Sequence, residues 1–399
     1  MPALIRLDSG GYSSTWDLAL TTVGAILRCD AGTQRAWLSI DGVEERHWED
    51  PLAALAWLAE TAANEKAGVR WVGYLSYDLG RLFEKVPART NDDLNVPLFC
   101  FARCDSGTPS EFSRIACEAC FVGERQRLAS EPAKLRSTFE RDAYISAVER
   151  VIDYIRGGDV FQVNLSQRFT LPMVEAPIRI ADRLLPARYG AFLDFGDHAI
   201  ISNSPELFIR VTPDRRIITR PIKGTRPRAP GMERELLESA KDQAELNMIV
   251  DLERNDLGRV CEIGSVRVSE ARAIETHPTV YHGAATIQGR LRREISFVDL
   301  LRAVLPGGSI TGAPKIRAME IIEELEPVRR GPYCGAIGYL GCGGEMEFNV
   351  AIRTMIVKDD LVHIPVGGGI VADSDPGAEY DETLVKARAM FAALNAPLA

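Results

Sequence analysis

Two short runs, Glu206-Leu207-Phe208-Ile209-Arg210-Val211 and Arg216-Ile217-Ile218-Thr219-Arg220, alternate apolar with polar residues at the period of a half-buried strand. Pro213-Asp214-Arg215-Arg216 reads as the turn between them, so the pair predicts a β-hairpin. With the turn centred between Asp214 and Arg215, Glu206 faces Lys223; a slip of one residue would send each side chain to the opposite face. Helical spacing is clearest over residues 142–157, where Tyr144, Ala147, Val148, Val151, Ile152 and Ile155 form one apolar stripe. Further helices are predicted over 51–67, 233–256, 314–325 and 376–394, the last capped by Asp375. A strand over 160–166 and a hairpin from 336–340 to 345–354, turning at Gly341-Cys342-Gly343-Gly344, complete the pattern. Hairpins alternate with long helices instead of strict βα units, which predicts an α+β fold with antiparallel sheets.

A chain of 399 residues with 46% apolar content can bury a large core, as one big domain or two coupled lobes. The start, Met1-Pro2-Ala3-Leu4-Ile5-Arg6-Leu7-Asp8, has no apolar signal core, and no apolar run approaches a membrane span, so the expectation is a cytoplasmic protein with no membrane partner. With 47 basic against 56 acidic residues the net charge is −9, which offers nucleic acid no basic footprint. The eight cysteines then read as reduced thiols. Cys100, Cys104, Cys117 and Cys120 have spacings a zinc site uses, yet Cys117 and Cys120 sit an odd number apart in a strand-like run and read as core residues.

Candidate chemistry gathers in four places. Lys223 stands in Pro221-Ile222-Lys223-Gly224-Thr225, at the end of a strand and walled by proline and glycine. Opposite Glu206 it is either half of an acid/nucleophile pair or an ordinary cross-strand ion pair. On the helix over 233–256, Lys241, Glu245, Met248, Ile249 and Leu252 share a face, which leaves Glu245 paired, cation-bound or at a wet edge. Leu305-Pro306-Gly307-Gly308-Ser309-Ile310-Thr311-Gly312-Ala313-Pro314-Lys315 leads into a helix whose free N–H groups suit an anion, or it is a plain connector. Near the end, Gly367-Gly368-Gly369-Ile370-Val371-Ala372-Asp373 precedes a helix carrying Glu379, Glu382 and Lys386 on one face. Two carboxylates by a glycine-lined pocket suit Mg²⁺, and they equally suit a solvated charged face.

Taken together these segments resemble the chorismate-utilising enzyme family. The carrying stretches are Phe161-Gln162-Val163-Asn164-Leu165-Ser166-Gln167-Arg168, Ser204-Pro205-Glu206, Pro221 to Thr225, Val250-Asp251-Leu252-Glu253-Arg254-Asn255-Asp256-Leu257-Gly258-Arg259, Gly307 to Lys315, and Gly367 to Asp373. The resemblance runs from about Phe161 to Ala389 and is nearest to the aminodeoxychorismate synthase component I branch; residues 1–134 resemble the family's N-terminal region more weakly, and 135–399 its chorismate-binding region. It implies large antiparallel sheets packed face to face with helices outside.

It further implies that Glu245 and Glu382, with Glu379 close by, bind Mg²⁺. Arg353, Lys386, Tyr333, Ser309, Gly367 and Gly369 would contact chorismate, with His282 beside the ring and Glu206 as the acid/base that helps the C4 hydroxyl leave. Lys223 separates the branches. Relatives resembling anthranilate synthase component I carry alanine there and aminate C2, whereas lysine marks the branch in which the amine attacks C2 before ammonia attacks C4. Gln162 stands where isochorismate and salicylate synthases carry a water-activating lysine. No glutaminase motif is visible, because Cys342 falls in a hairpin turn, so the resemblance implies ammonia from a separate glutamine amidotransferase subunit. The expectation is a Mg²⁺-dependent transferase on the route to p-aminobenzoate and folate. Its rivals are anthranilate synthase component I and a non-catalytic small-molecule-binding protein on the same scaffold.

Overall fold

The structure is a computed structural model that describes residues 3–12, 15–106, 135–277 and 280–397. Its strands before the first long helical stretch of the second half are β1 (Leu4–Asp8), β2 (Leu18–Cys29), β3 (Ala36–Ile40), β4 (Val43–Trp48), β5 (Val69–Leu75), β6 (Phe99–Ser106) and β7 (Arg136–Ser137). Then come β8 (Gln162–Pro172), β9 (Tyr189–Asp194), β10 (His198–Ser204), β11 (Leu207–Val211), β12 (Arg216–Arg220), β13 (Ile222–Pro227), β14 (Arg267–Thr276) and β15 (Val280–Arg290). The last are β16 (Gly312–Ala313), β17 (Ala336–Gly341), β18 (Met346–Val350), β19 (Thr354–Lys358) and β20 (Leu361–Ile370). The helices are α1 (Pro51–Ala63), α2 (Arg141–Arg156), α3 (Pro177–Leu184), α4 (Met232–Glu238), α5 (Ala240–Gly258), α6 (Phe297–Val304), α7 (Lys315–Leu325) and α8 (Pro376–Ala393).

All the strand pairs are antiparallel, and they form one continuous path. It runs from β16 through β8, β20, β19, β10, β9, β1 and β2, then through β6, β5, β17, β18, β11 and β12 to β15. Strand β15 carries β12 and then β13 on one edge, with a register shift between Ile222 and Thr225, and β14 on the other. The fold is α+β with large antiparallel sheets, as the sequence pattern predicts. Strands from the first third pair directly with strands from the last two thirds, β1 with β9 and β5 with β17.

Helices cover the outer faces because their apolar stripes demand it. On α8, Ala387, Met390 and Phe391 are buried against Val362, Ile364 and Val366 of β20, each large side chain contributing about 1.5–3 kcal/mol. On α2, Tyr144, Val148 and Val151 close over Val163 and Leu165 of β8. No helix among the described residues is long and apolar enough to cross a membrane.

The sequence-based expectations need three adjustments. The helix expected over 233–256 is two helices, because Ser239 takes an extended backbone and its hydroxyl caps α5 by accepting from the Asp242 N–H at 3.2 Å. The helix expected over 51–67 stops at Ala63, where Asn64 closes it. The hairpin forms, but Leu207 opposes Arg220 and Val211 opposes Ile217, with a bulge between Leu207 and Arg210. Glu206 is therefore not opposed to Lys223 in the ladder: the bulge shifts the register, and Pro221 ends β12 so that Lys223 falls in β13, at the irregularity between Ile222 and Thr225. Cys100 and Cys104 are buried in β6, in keeping with their reading as core residues, while Cys117 and Cys120 lie outside the described residues.

A buried ion pair locks the centre of this arrangement. Arg330 donates to Glu326 at 2.6 and 2.9 Å, to the Ile310 carbonyl at 2.9 Å and to the Asn164 carbonyl at 2.6 Å. Glu326 also accepts from the N–H and hydroxyl of Ser166 at 2.8 and 2.7 Å. Arg330→Leu would leave that carboxylate buried without its cation. We expect a loss of about 3–5 kcal/mol in denaturant-induced unfolding, against under about 1 kcal/mol if the pair were dispensable.

Candidate active site

The two ends of the strand path meet at a glycine strand. Gly367, Gly368 and Gly369 lie in β20 opposite Ser166, Leu165 and Asn164 of β8. A Cβ on Gly369 would stand 2.9 Å from Gln162 Nε2 and 3.5 Å from Lys223 Nζ, so the missing side chain is what lets both groups lie on the strand. A Cβ on Gly368 would stand 3.2 Å from Glu379 Oε2, 3.5 Å from Lys386 Nζ and 3.9 Å from Glu382 Oε1. Gly224, after the lysine, is held at φ +81°, a conformation that costs other residues strain, with Leu236 and Asp242 packed where a Cβ would go.

Glu206 sits in the link from β10 to β11 and is buried. Ser309 Oγ donates to its Oε1 at 2.7 Å. Burial pushes its carboxyl up to about 7, against the pull of Ser309, Lys223, the Ile222 N–H and Arg353. Lys223 is half-buried, and desolvation lowers its amine below the ordinary lysine range although the charges of Glu245 and Glu206 oppose this. Burial thus favours the neutral form of both partners: a protonated acid beside a free amine.

The remaining predicted residues divide into two groups. Glu379 is buried, accepts from Ser374 Oγ at 2.6 Å, and is raised above the usual carboxylate range by burial and by Glu382. Lys386 Nζ bridges Glu382 Oε1 at 2.7 Å and the Gly367 carbonyl at 2.8 Å. Glu245, on α5, is raised by burial and feels Lys223, Lys241 and Glu382. Among the described residues no three His, Cys, Asp or Glu side chains are drawn together as a metal cluster. Glu379, Glu382 and Glu245 each offer carboxylate oxygens, the donor type a hard cation takes, and Lys386 pairs with Glu382.

Arg353 stands close enough to act on both Glu206 and His282. Arg353 is half-buried at φ 50° and makes no ion pair among the described residues, and Glu206 is the charge that opposes its desolvation. His282 is buried, its Nδ1 2.9 Å from Thr225 Oγ1, and burial followed by the charge of Arg353 pushes it down to about 3. Its Nε2 has no partner among the described residues. Tyr333 is buried in a cavity lined by Ser166, Gln167, Glu326 and Arg330, beside Cys334, whose thiol feels the charge of Glu206. No hydrogen bond ties it to the other predicted residues.

Two residues were not predicted as site members. Gln162 is fully buried, and neither amide atom has a partner among the described residues, which is expensive unless a ligand supplies one. The signal was an amide in an otherwise strand-like run ahead of the glycine strand's partner. Glu253, on α5, is pushed up to about 8 by burial and by Glu206. It lay within a quoted motif but off the face that carries Glu245.

A family of chorismate binding enzymes matches residues 13–392. The chain is 41% identical over 356 residues to anthranilate synthase component 1 of Thermus thermophilus, covering 81% of this chain and 77% of that one. It is 42% identical over 338 residues to aminodeoxychorismate synthase component 1 of Klebsiella aerogenes, covering 79% and 75%. The crystal structure of anthranilate synthase component I from Streptococcus pneumoniae TIGR4 superposes with a TM-score of 0.76 at 30% identity, covering 98% and 92%.

The electrostatics of His282 are open to a direct check. A histidine lowered from 6.5 to about 3 binds protons more weakly folded than unfolded, so its contribution to stability is present above about 6.5 and is lost as pH falls towards 3. In NMR titration its imidazole should remain neutral down to about pH 5; a midpoint near the ordinary value of about 6.5 would contradict its burial beside Arg353.

Proposed function

Because the chain belongs to the chorismate binding enzyme family, we propose that it aminates chorismate at C4, as an aminodeoxychorismate synthase component I. The observation that carries this reading is the Lys223 amine lying 3.5 Å from the Cβ position of Gly369, beside the unpartnered amide of Gln162. The acid at Glu206 opposes it electrostatically.

In this reading Arg353 and Lys386 receive the anionic groups of chorismate, while Gln162, Ser309, Tyr333 and the glycine strand fix the ring's position. His282, neutral at working pH, offers Nε2 as a hydrogen-bonding atom without adding charge. The lone pair of Lys223 Nζ forms a bond to C2, the ring double bonds shift, and the C4–O bond breaks. Glu206 gives its proton to the departing oxygen, which leaves as water. Ammonia then attacks C4, the double bonds shift back, the C2–N bond breaks and its electron pair returns to Lys223. The surplus proton on the new amine returns to Glu206. Splitting one displacement into two keeps each step within reach of a fixed nucleophile.

Glu245, Glu382 and Glu379 would hold Mg²⁺, which when bound supplies a hard positive centre for the ring carboxylate. Ammonia would come from glutamine through a separate amidotransferase subunit. The similar relatives named anthranilate synthase component 1 favour a second reading, amination at C2 with release of pyruvate.

Product identification separates the two. With chorismate, Mg²⁺ and an ammonium salt at alkaline pH, mass spectrometry should find 4-amino-4-deoxychorismate; anthranilate and pyruvate instead would establish the second reading. Glutamine alone should give no product from this chain. Glu245→Gln and Glu382→Gln should each lower turnover by more than about 100-fold with the fold intact, and Mg²⁺ titration should expose the loss. Wild-type Mg²⁺ dependence in both variants would remove these glutamates from the metal site.

A further inference from the structure

The hairpin from β14 to β15 carries an imidazole that the proposed chemistry does not use. The His277 N–H donates to the Val280 carbonyl at 2.9 Å and closes the turn. Behind it in the ladder, Glu275 stands directly opposite His282, and Thr225 of β13 opposes His282 from the other edge of β15. The His277 ring turns back onto His282. The two imidazoles meet edge to face, with centroids 4.9 Å apart and planes 66° apart.

An ion-pair role does not account for His277. Glu275 already has two cations, Arg188 and Arg220, the latter donating from Nε to Oε1 at 2.5 Å. His277 Nε2 stays 3.5 Å from Glu275 Oε2 and makes no hydrogen bond among the described residues. Its closest neighbours of defined geometry are rings: His282 and, in the link from β1 to β2, Tyr12 at a centroid distance of 5.9 Å. His282, in turn, is tied to a side chain at one point, Nδ1 to Thr225 Oγ1 at 2.9 Å, and its buried Nε2 has no partner among the described residues. The outer torsion of a histidine is soft, so one tie at Nδ1 leaves the plane of the ring to be set by what packs against it.

We propose that His277 is a positioning residue for His282, its ring fixing the plane of that imidazole so that Nδ1 stays on Thr225 and Nε2 is the nitrogen offered to chorismate. The proposal rests on the reading that His282 hydrogen-bonds the substrate through Nε2. Misplacing a positioning group by about 1 Å can cost on the order of 100-fold in rate, so loosening His282 without removing it should cost about tenfold.

The test is a double-mutant cycle on turnover of chorismate with an ammonium salt, using His277→Ala, His282→Ala and both together. His277→Ala should lower kcat about tenfold and leave KM for chorismate within about twofold. In the His282→Ala background the same change should cost less than about twofold, because the group it positions is gone. A tenfold loss in both backgrounds overturns the proposal, since a merely structural residue adds its cost wherever it is removed. His277→Leu takes the place of the alanine variant in the cycle if the latter fails to fold. His277→Phe keeps a ring against His282 and should return kcat to within about threefold of wild type; a phenylalanine variant as impaired as the alanine one overturns positioning by the ring. Long-range ¹H–¹⁵N spectra of the ligand-free protein give a readout that needs no turnover. His282 should be one fixed tautomer in wild type and have averaged nitrogens in His277→Ala, and an unchanged fixed tautomer overturns the proposal. Full activity in His282→Ala would defeat the role of His282 in the reaction, while these spectra still report whether His277 orders its ring.

Discussion

The site depends on the close pairing of β20 with β8 through three successive glycines. Without side chains at 367, 368 and 369, groups from β13, β8 and α8 can lie directly on the strand backbone. A Cβ at 367 would collide with Leu165 and Ser166 of β8, one at 369 with the Gln162 amide, and one at 368 would crowd Glu379. The same strand holds the ends of the sheet path together, since Gln162 belongs to β8 and Lys223 to β13, next to β15 at the far end. The Arg330–Glu326 pair then ties β8 to the loop before α7, so that Ser309 reaches Glu206 from a fixed direction.

Burial sets the protonation states that the proposed reaction needs. In water a lysine and a glutamate side by side exchange a proton and become an ion pair. Here desolvation works against both charges, lowering the amine and raising the acid. The pair that reads in sequence as either a catalytic couple or a cross-strand salt bridge is thereby biased towards neutral partners. Burial raises Glu245 and Glu379 in the same way, whereas the pairing with Lys386 holds Glu382 below the usual carboxylate range.

Much of this was legible because it rests on local patterns. Alternation gave β11 and β12, Asp375 gave the start of α8, and proline and glycine around Lys223 marked a backbone that breaks where the amine must emerge. What depended on irregularity was not legible. The bulge between Leu207 and Arg210 moved Glu206 out of direct opposition to Lys223, and the two meet across a bend instead of along a ladder. Ser239 splits a run whose composition is helical throughout. Gln162 and Glu253 became site residues only through distant partners, the glycines of β20 and the acid at Glu206. The choice between the two amination chemistries hangs on a single position, Lys223, among relatives of both kinds.

The most direct measurement is therefore the mass of the intact protein quenched after exposure to chorismate and Mg²⁺ without ammonia. The account predicts a substrate-derived adduct that maps to Lys223 by peptide analysis and is absent from Lys223→Ala, together with severe loss of C4 amination in that variant. Undiminished C4 amination by Lys223→Ala would contradict the covalent role on which the assignment rests.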